Sequence, residues 1–300
     1  MANQNGDNVS QGKNENFNGA YNKVVNTILV LLESSLCLFI GMLPLLLVVF
    51  VVRDLTYWPT YIVAAWLSMP GLTALFAMFR DQPMLFSVNA ETRARVWREQ
   101  AGAKDFPPDW IADPYVPFDR TVAFIGPYFK AYAKLFVRSI TISFVFLLLV
   151  FCFIYDVFIM IQTAWGAFVV PILVVCCALF VQAMLVALVL TVEYPKAKFF
   201  SRIRNGFMLA VRRIPAIIIS MVALVGYGWG MTTKYGLLVL VFTTGIAAYL
   251  VWSSANWQAN LMFVAMAKES GDKRIIDMYS VAANKPSGGS FFSGTRDYQS

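Results

Sequence analysis

The chain has 300 residues, of which 59% are hydrophobic and 14% are charged, and its formal net charge is +7. Because soluble domains carry about 25% charged residues, this composition excludes an ordinary soluble globular protein. The chain contains no histidine, and its four cysteines lie inside apolar runs. It therefore lacks the commonest metal ligand and the usual general base, and the cysteine spacing predicts neither a zinc site nor a disulfide framework.

Six apolar runs dominate the sequence, and each is about as long as a helix that crosses the hydrocarbon core of a bilayer. Backbone groups in lipid must be hydrogen-bonded within a helix or a closed barrel, and barrel strands would be about 10 residues of alternating polarity. These longer, uniformly apolar runs predict an all-α, polytopic membrane helical bundle with six transmembrane helices. The predicted spans cover residues 25–52, 55–79, 139–155, 165–191, 214–230 and 235–267.

The predicted spans divide the chain into three parts. Residues 1–23 are polar and rich in Asn, Gln and Gly, a composition typical of a disordered tail. Residues 24–267 form the predicted membrane domain. A polar tail follows at residues 268–300, and its Ser- and Gly-rich end is expected to be disordered.

The basic residues predict the orientation of these spans. Of the 24 Lys and Arg residues, all but Arg53 and Lys234 lie in the two tails or in the stretches 80–138 and 193–213. Loops on the cytoplasmic side of membrane proteins carry an excess of Lys and Arg. We therefore predict a multi-pass protein of the cell membrane with both termini in the cytoplasm. The positive charge is explained by topology, so no nucleic-acid partner is predicted.

Glu33 is the acidic residue that lies inside a predicted span. Carboxylates within membranes often mark ion or proton pathways, but Glu33 lies only about 12 Å along its helix by the rise of 1.5 Å per residue. Structural contact and contact with interfacial water are therefore alternatives to a role in transport. Pro44 and Pro70 also lie inside predicted spans, where proline is expected to kink the helix.

Two stretches on the predicted cytoplasmic side alternate aromatic and basic residues at helical spacing, at residues 125–138 and 196–213. Anionic lipid at the inner surface attracts each basic side chain by about 1 kcal/mol. The patterns predict either lipid anchoring at an anionic inner leaflet or docking to a protein partner. The candidate lipid or partner surface comprises Lys130, Lys134, Arg138, Lys198, Arg202, Arg204, Arg212 and Arg213.

Motifs for catalysis are absent from the sequence. It contains no phosphate-binding loop of the form GxxxxGK[ST] and no HExxH or GxSxG motif. Asp105, Asp109, Asp113 and Asp119 lie close together, but their spacing does not fit a calcium loop, and the prolines among them favour an extended, solvated loop. We therefore predict a protein that is not an enzyme and has no catalytic residue, metal or cofactor.

Two motifs carry a resemblance to a known family. Residues 70–80 read PGLTALFAMFR and residues 129–139 read FKAYAKLFVRS. These motifs resemble the end of the second span and the start of the third span in the YesL-like family of small bacterial membrane proteins. The resemblance covers residues 26–255, and the chain departs from the family pattern in a long insertion at residues 81–118. The family has no established activity, so it offers no functional residues to carry over.

Genes of this family often lie beside those for sugar-uptake ABC transporters, so the resemblance implies an accessory role. Our leading hypothesis is a non-enzymatic accessory or scaffold protein linked to carbohydrate ABC uptake, with ABC transporter subunits as partners. The alternative is a transporter or channel in its own right, with Glu33, Pro44 and Pro70 shaping the path.

Overall fold

The computed structural model describes residues 24–52, 54–82, 85, 88–100, 106–108, 110–116 and 124–280. The tail at residues 1–23 and the end of the C-terminal tail, for which disorder was predicted, lie outside this part of the chain. All of the regular structure within it is helical. The helices are α1 (Val24–Gly41), α2 (Leu43–Val51), α3 (Trp58–Asp81), α4 (Val88–Glu99), α5 (Ile125–Met160), α6 (Gly166–Glu193), α7 (Phe199–Arg212), α8 (Ile214–Thr232), α9 (Gly236–Ser270) and α10 (Lys273–Ser280).

Six of these helices, α1, α3, α5, α6, α8 and α9, are long and apolar enough to cross a membrane. This confirms the prediction of an all-α polytopic bundle, and the chain is an integral membrane protein. The first predicted run contains two helices, because it is interrupted at Met42, two residues before Pro44. Pro70, by contrast, lies within the continuous helix α3.

The predicted third span is longer than its apolar run. Its helix, α5, begins at Ile125, so the aromatic and basic stretch before the run belongs to the same 36-residue helix. At 1.5 Å per residue α5 is about 54 Å long, which exceeds the thickness of a bilayer. Its buried residues, such as Tyr128, Ala131 and Leu135, face α3 and α6, while Lys130 and Phe129 are exposed.

The centre of the bundle is α3, which is buried continuously from Ser68 to Asp81. It packs against α2, α5, α6 and α9. At Gly71 it passes so close to α1 that an added Cβ would lie 2.6 Å from the carbonyl oxygen of Gly41. The Tyr128 hydroxyl closes this junction by donating to the carbonyl of Gly71 at 3.1 Å. Close approach of small residues is a common way to pack helices where lipid supplies no hydrophobic drive.

A polar junction joins α6, α7 and α9. Gln182 Nε2 donates to Gln258 Oε1 at 2.6 Å, and both side chains are buried. Gln258 Nε2 in turn donates to the carbonyls of Ala210 and Arg213, at 2.9 and 3.0 Å. Ala210 lies in the last turn of α7 and Arg213 directly follows that helix, where backbone carbonyls lose their partners within the helix. The carbonyl of Arg213 also accepts the N–H of Ala216 at the start of α8, at 3.1 Å. One glutamine therefore both joins two spans and caps a third helix.

Replacing Gln258 by Leu is expected to lower the free energy of unfolding by about 0.6–2 kcal/mol, the range for polar contacts between membrane helices. Gln182 and the end of α7 would lose their partner together. Thermal unfolding of the purified protein would measure the change. Gln162→Leu provides the control, because the one bond of Gln162 Nε2 among the described residues is to Phe158 O within its own exposed turn. Equal losses in the two variants would contradict the proposed junction.

The segments beyond the spans are folded onto the bundle. The helix α10 packs on α4 and α9, and it buries Ile275, Met278 and Tyr279. The sequence had predicted only a polar tail from residue 268, but α9 continues to Ser270 and ends at Gly271, whose positive φ of 67° favours glycine. The loop around the aspartates was predicted to be extended and solvated. In the structure, several of its apolar side chains are buried, including Ile111, Ala112 and Val116.

Candidate functional site

Four charged residues meet in the protein interior, where the ends of two spans face the segments beyond them. Arg80 and Asp81 end α3, and Glu193 ends α6. Arg93 comes from α4 and completes the set. All four are buried, with relative exposures between 2% and 7%. Together with Tyr279 of α10, we call them the buried ion cluster.

Arg80 holds the cluster to α3 and to the segment that follows α4. Its Nε and Nη2 donate to the two carboxylate oxygens of Asp81, at 2.7 and 3.0 Å. Nη2 also donates to the carbonyl of Asp113 at 2.9 Å, and Nη1 lies 3.3 Å from Glu193 Oε2. Asp81 Oδ2 additionally accepts the backbone N–H of Tyr115 at 2.6 Å. The planar fork of Arg suits such two-oxygen contacts, which combine strength with defined geometry.

Glu193 is the centre of the cluster. Arg93 Nη1 and Nη2 donate to its two oxygens at 3.0 and 2.6 Å, and the Tyr279 hydroxyl donates to Oε1 as well. The backbone carbonyl of Glu193 accepts the N–H of Ala112 at 3.0 Å. The carboxylate of Glu193 thus joins α3, α4 and α10 to the end of α6, and its backbone carbonyl holds the segment around residue 112.

Aromatic rings enclose the two guanidinium groups. The Arg80 guanidinium carbon lies 4.9 Å from the centre of the Tyr115 ring, and that of Arg93 lies 5.4 Å from the Tyr279 ring. Trp110 packs on the Tyr279 ring at 5.6 Å. Such cation–π contacts strengthen as water is removed, so the rings stabilise the charges while they exclude solvent.

The electrostatics of the cluster favour the charged form of Arg93 and the neutral form of Tyr279. Burial alone would lower the pKa of Arg93, but the charge of Glu193 opposes this effect and raises that pKa above its ordinary value. Burial, followed by the negative charge of Glu193, raises the pKa of Tyr279 well above its ordinary value. The cluster contains two cations and two anions, so its formal charge is zero. Its members pair with one another, which holds the surrounding segments together.

A small polar cavity of about 20 Å³ lies beside the cluster, and Asn256 and Asn260 of α9 contribute to its lining. A cavity of this size accommodates about one water molecule. It offers no space for an organic substrate.

The predicted intramembrane site at Glu33 lies apart from this cluster. Glu33 is half-buried on α1, and its Oε2 is buried without a hydrogen-bond partner among the described residues. Nearby, Ser35 Oγ accepts the backbone N–H of Gly245 at 2.8 Å, which holds α1 against α9. Among the described residues, no second charged residue forms a hydrogen bond or an ion pair with Glu33.

The predicted basic surface is only partly a surface. Lys130, Lys134, Arg138, Lys198, Arg204 and Arg212 are exposed. Arg213 is half-buried, donates to the carbonyl of Trp257 at 2.7 Å and lies 4.4 Å from that ring. Arg202 was wrongly placed on this surface, because α7 turns it towards the protein, where its relative exposure is 6%. Helical spacing alone does not show which face of α7 packs on α6.

Sequence analysis missed the buried ion cluster. Arg80, Asp81 and Glu193 are the first charged residues after two long apolar runs, and such residues ordinarily lie in the solvated headgroup region. Their only signal was that acidic residues, Asp81 and Glu193, follow spans on a side otherwise rich in cations. Arg93 lies in a polar stretch and carried no signal at all.

No family model, curated protein or solved structure matches this chain.

Proposed function

We propose that this integral membrane protein is a non-enzymatic accessory or scaffold protein of the cell membrane that assists carbohydrate uptake by an ABC transporter. The buried ion cluster carries this proposal. It fixes α4, α10 and the segment at residues 110–116 to the ends of α3 and α6, so these parts present one preformed surface. A preformed surface binds a partner without the cost of ordering mobile segments.

The chemistry of the cluster favours a scaffold over an enzyme. Catalysis needs an acid, base or nucleophile that can reach a substrate. Arg80, Arg93, Asp81 and Glu193 each bind another protein group within the described chain, and the adjoining cavity is the size of one water molecule. Arginine side chains stay protonated throughout.

The proposal includes a cytoplasmic location for the folded surface and ABC transporter subunits as its partners. The excess of Lys and Arg in the stretches between α3 and α5 and between α6 and α8 supports a cytoplasmic location for the folded surface. An ABC transporter hydrolyses nucleotide in the cytoplasm, so this is the side on which an assisting protein would meet those subunits. The resemblance to the YesL-like family supports carbohydrate as the transported class.

Site-specific crosslinking in native membranes tests the proposal. A photoreactive amino acid would replace exposed Arg95 on α4 or exposed Asp277 on α10. Irradiation is expected to capture an ABC transporter subunit at both positions. The same label at Trp229, which is 74% exposed near the end of α8, is the control and is expected to capture none. Access of a membrane-impermeant reagent to position 277 only in inside-out vesicles would support the orientation.

The crosslink should also depend on the buried ion cluster. Glu193→Gln, introduced together with the label at Arg95, is expected to reduce the yield of the captured subunit because α4 loses its fixed position. Recovery of no transporter subunit during growth on any carbohydrate tested would contradict the proposal. Capture of a different protein class would support a scaffold but contradict the link to carbohydrate uptake.

Glu33 favours a second candidate function, transport by the chain itself. Its buried Oε2 has no described partner, and carboxylates in that state within membranes often carry protons or ions. Against this function, the cavity of about 740 Å³ between α1, α2, α8 and α9 is lined mostly by apolar side chains, and Glu33 is not part of its lining.

Proton flux distinguishes the two functions. If the chain conducts protons through Glu33, wild-type protein in vesicles containing a pH-sensitive dye should collapse an imposed proton gradient, and Glu33→Gln should slow that collapse by about tenfold or more. Gln is nearly the same size but does not titrate. Glu269→Gln, which changes an exposed carboxylate near the end of α9, provides the control. If the proton flux is equal in empty vesicles, with wild-type protein and with both variants, Glu33 does not carry protons across the membrane.

A further inference from the structure

Arg202 is a buried arginine without an acidic partner among the described residues. It lies on the face of α7 that packs on α6, and its relative exposure is 6%. Nη2 donates to the carbonyl of Pro195 at 2.7 Å, while Nε is buried and has no hydrogen-bond partner in the described chain. The guanidinium group therefore uses one of its five N–H donors on a described protein group.

This arrangement differs sharply from that of the other buried arginines. Arg80 contacts carboxylates through three nitrogens, and Arg93 contacts one through two. A buried charge without a counter-ion is strongly unfavourable, because the desolvation cost is not offset by attraction to an opposite charge. The same fold thus satisfies two buried arginines and leaves a third with an unused buried N–H.

The surroundings of Arg202 add positive charge. The Tyr115 hydroxyl donates to the carbonyl of Val192 at 3.4 Å, and Lys134 Nζ lies 5.2 Å from the Tyr115 ring. These contacts place α5 beside Val192 near the end of α6. Val192 lies three residues before Pro195 in the sequence. Burial, and then the charge of nearby Arg138, lowers the pKa of Arg202. Within the described chain, Lys134 and Arg138 form no ion pair, and the carboxylates of Asp81 and Glu193, which adjoin Tyr115 and Val192, are already engaged by Arg80 and Arg93.

We propose that Arg202, Arg138 and Lys134 form a binding site for a phosphate group, with Arg202 as the buried anchor. The free Nε–H and the neighbouring nitrogens of a guanidinium fork match two oxygens of a phosphate. Arg138 and Lys134 are exposed and guide the anion from outside. The phosphate can belong to the headgroup of an anionic lipid or to a free phosphate ion. This inference does not depend on the proposed accessory function.

Reconstituted full-length protein separates these sources. The thermal midpoint would be measured in vesicles of phosphatidylcholine, in vesicles of phosphatidylcholine and phosphatidylglycerol, and in phosphatidylcholine vesicles with added inorganic phosphate. Wild-type protein is expected to be stabilised by phosphatidylglycerol, by inorganic phosphate or by both. A rise with phosphatidylglycerol alone identifies a lipid headgroup, and a rise with inorganic phosphate alone identifies the free ion.

Arg202→Gln should raise the anion concentration that gives half of the full stabilisation by about tenfold, as expected for loss of one charge-assisted hydrogen bond. Lys268→Gln removes an exposed charge near the end of α9, outside both basic stretches, and is the control, with at most a small effect. In pure phosphatidylcholine, Arg202→Gln should be at least as stable as wild type, because an unpaired buried charge has been removed.

Two results would overturn the site. The first is equal stabilisation of wild type and Arg202→Gln by every anion, and the second is no stabilisation of wild type by any. If Arg202→Gln does not fold, Arg202→Lys gives a second measure. It keeps the charge but loses the fork, so it should bind more weakly than wild type, and unchanged binding would contradict the assignment.

Discussion

Glu193→Gln is expected to lower the free energy of unfolding by about 3–5 kcal/mol, the usual cost of removing one partner from a buried ion pair. The substitution keeps the size of the side chain but removes its charge. Arg93 would lose its two-oxygen contact with a carboxylate, and Arg80 would lose one of its two anionic partners. Chemical or thermal unfolding of the purified protein would measure the loss.

The loss should also be local. Hydrogen exchange is expected to quicken in α4 and α10, because Arg93 and Tyr279 bind those helices to Glu193. Exchange in the pair α8 and α9 should change less, since hydrogen bonds such as that between Tyr227 and Thr244 hold it independently. Regions with few remaining contacts open at lower free-energy cost than the core.

Glu99→Gln is the matched control for this prediction. Glu99 also faces an arginine, Arg95, but both side chains are more than half exposed and the closest atoms are 3.9 Å apart. An exposed pair of this kind contributes about 0–1 kcal/mol. Similar losses in the free energy of unfolding for Glu193→Gln and Glu99→Gln would show that burial does not increase the contribution of the cluster to stability. Unchanged hydrogen exchange in α4 and α10 would show that Glu193 does not stabilise these helices.

Gly71→Ala is expected to destabilise the bundle by about 1–3 kcal/mol, and by more if the backbone cannot move, which is the range for overpacked cores. The added Cβ would lie between 2.6 and 2.8 Å from three backbone atoms of Gly41. No side-chain rotation relieves a contact with backbone, so α1 and α3 must separate. That movement would also disturb the bond from Tyr128 to the Gly71 carbonyl. Thermal unfolding measures the effect.

Gly228→Ala tests the same substitution where space is available. Gly228 lies inside α8, and an added Cβ would meet nothing within 4 Å. Alanine is favoured over glycine in helices by about 0.8–1 kcal/mol, so this variant is expected to be as stable as wild type or more stable. Comparable destabilisation of Gly71→Ala and Gly228→Ala would contradict the close approach of α1 and α3.

The composition of the chain determined the membrane fold without any knowledge of tertiary contacts. A span depends on local properties, namely a length of about 20 apolar residues and backbone groups that are satisfied within one helix. The six runs therefore appear as helices close to their predicted places. The missing N–H of proline fits the interruption before Pro44, where α2 begins, but it did not distinguish that position from Pro70, which lies within the continuous helix α3.

Only the tertiary structure decided what happens where the spans end. Arg80 and Glu193 are 113 residues apart in sequence and 3.3 Å apart in space, and no local pattern predicts which charges will meet. The same limit applies to Arg202, which has the spacing of a surface residue but is covered by the protein. Whether a charge is solvated, paired or buried alone depends on which helices pack around it, and that packing is a property of the whole chain.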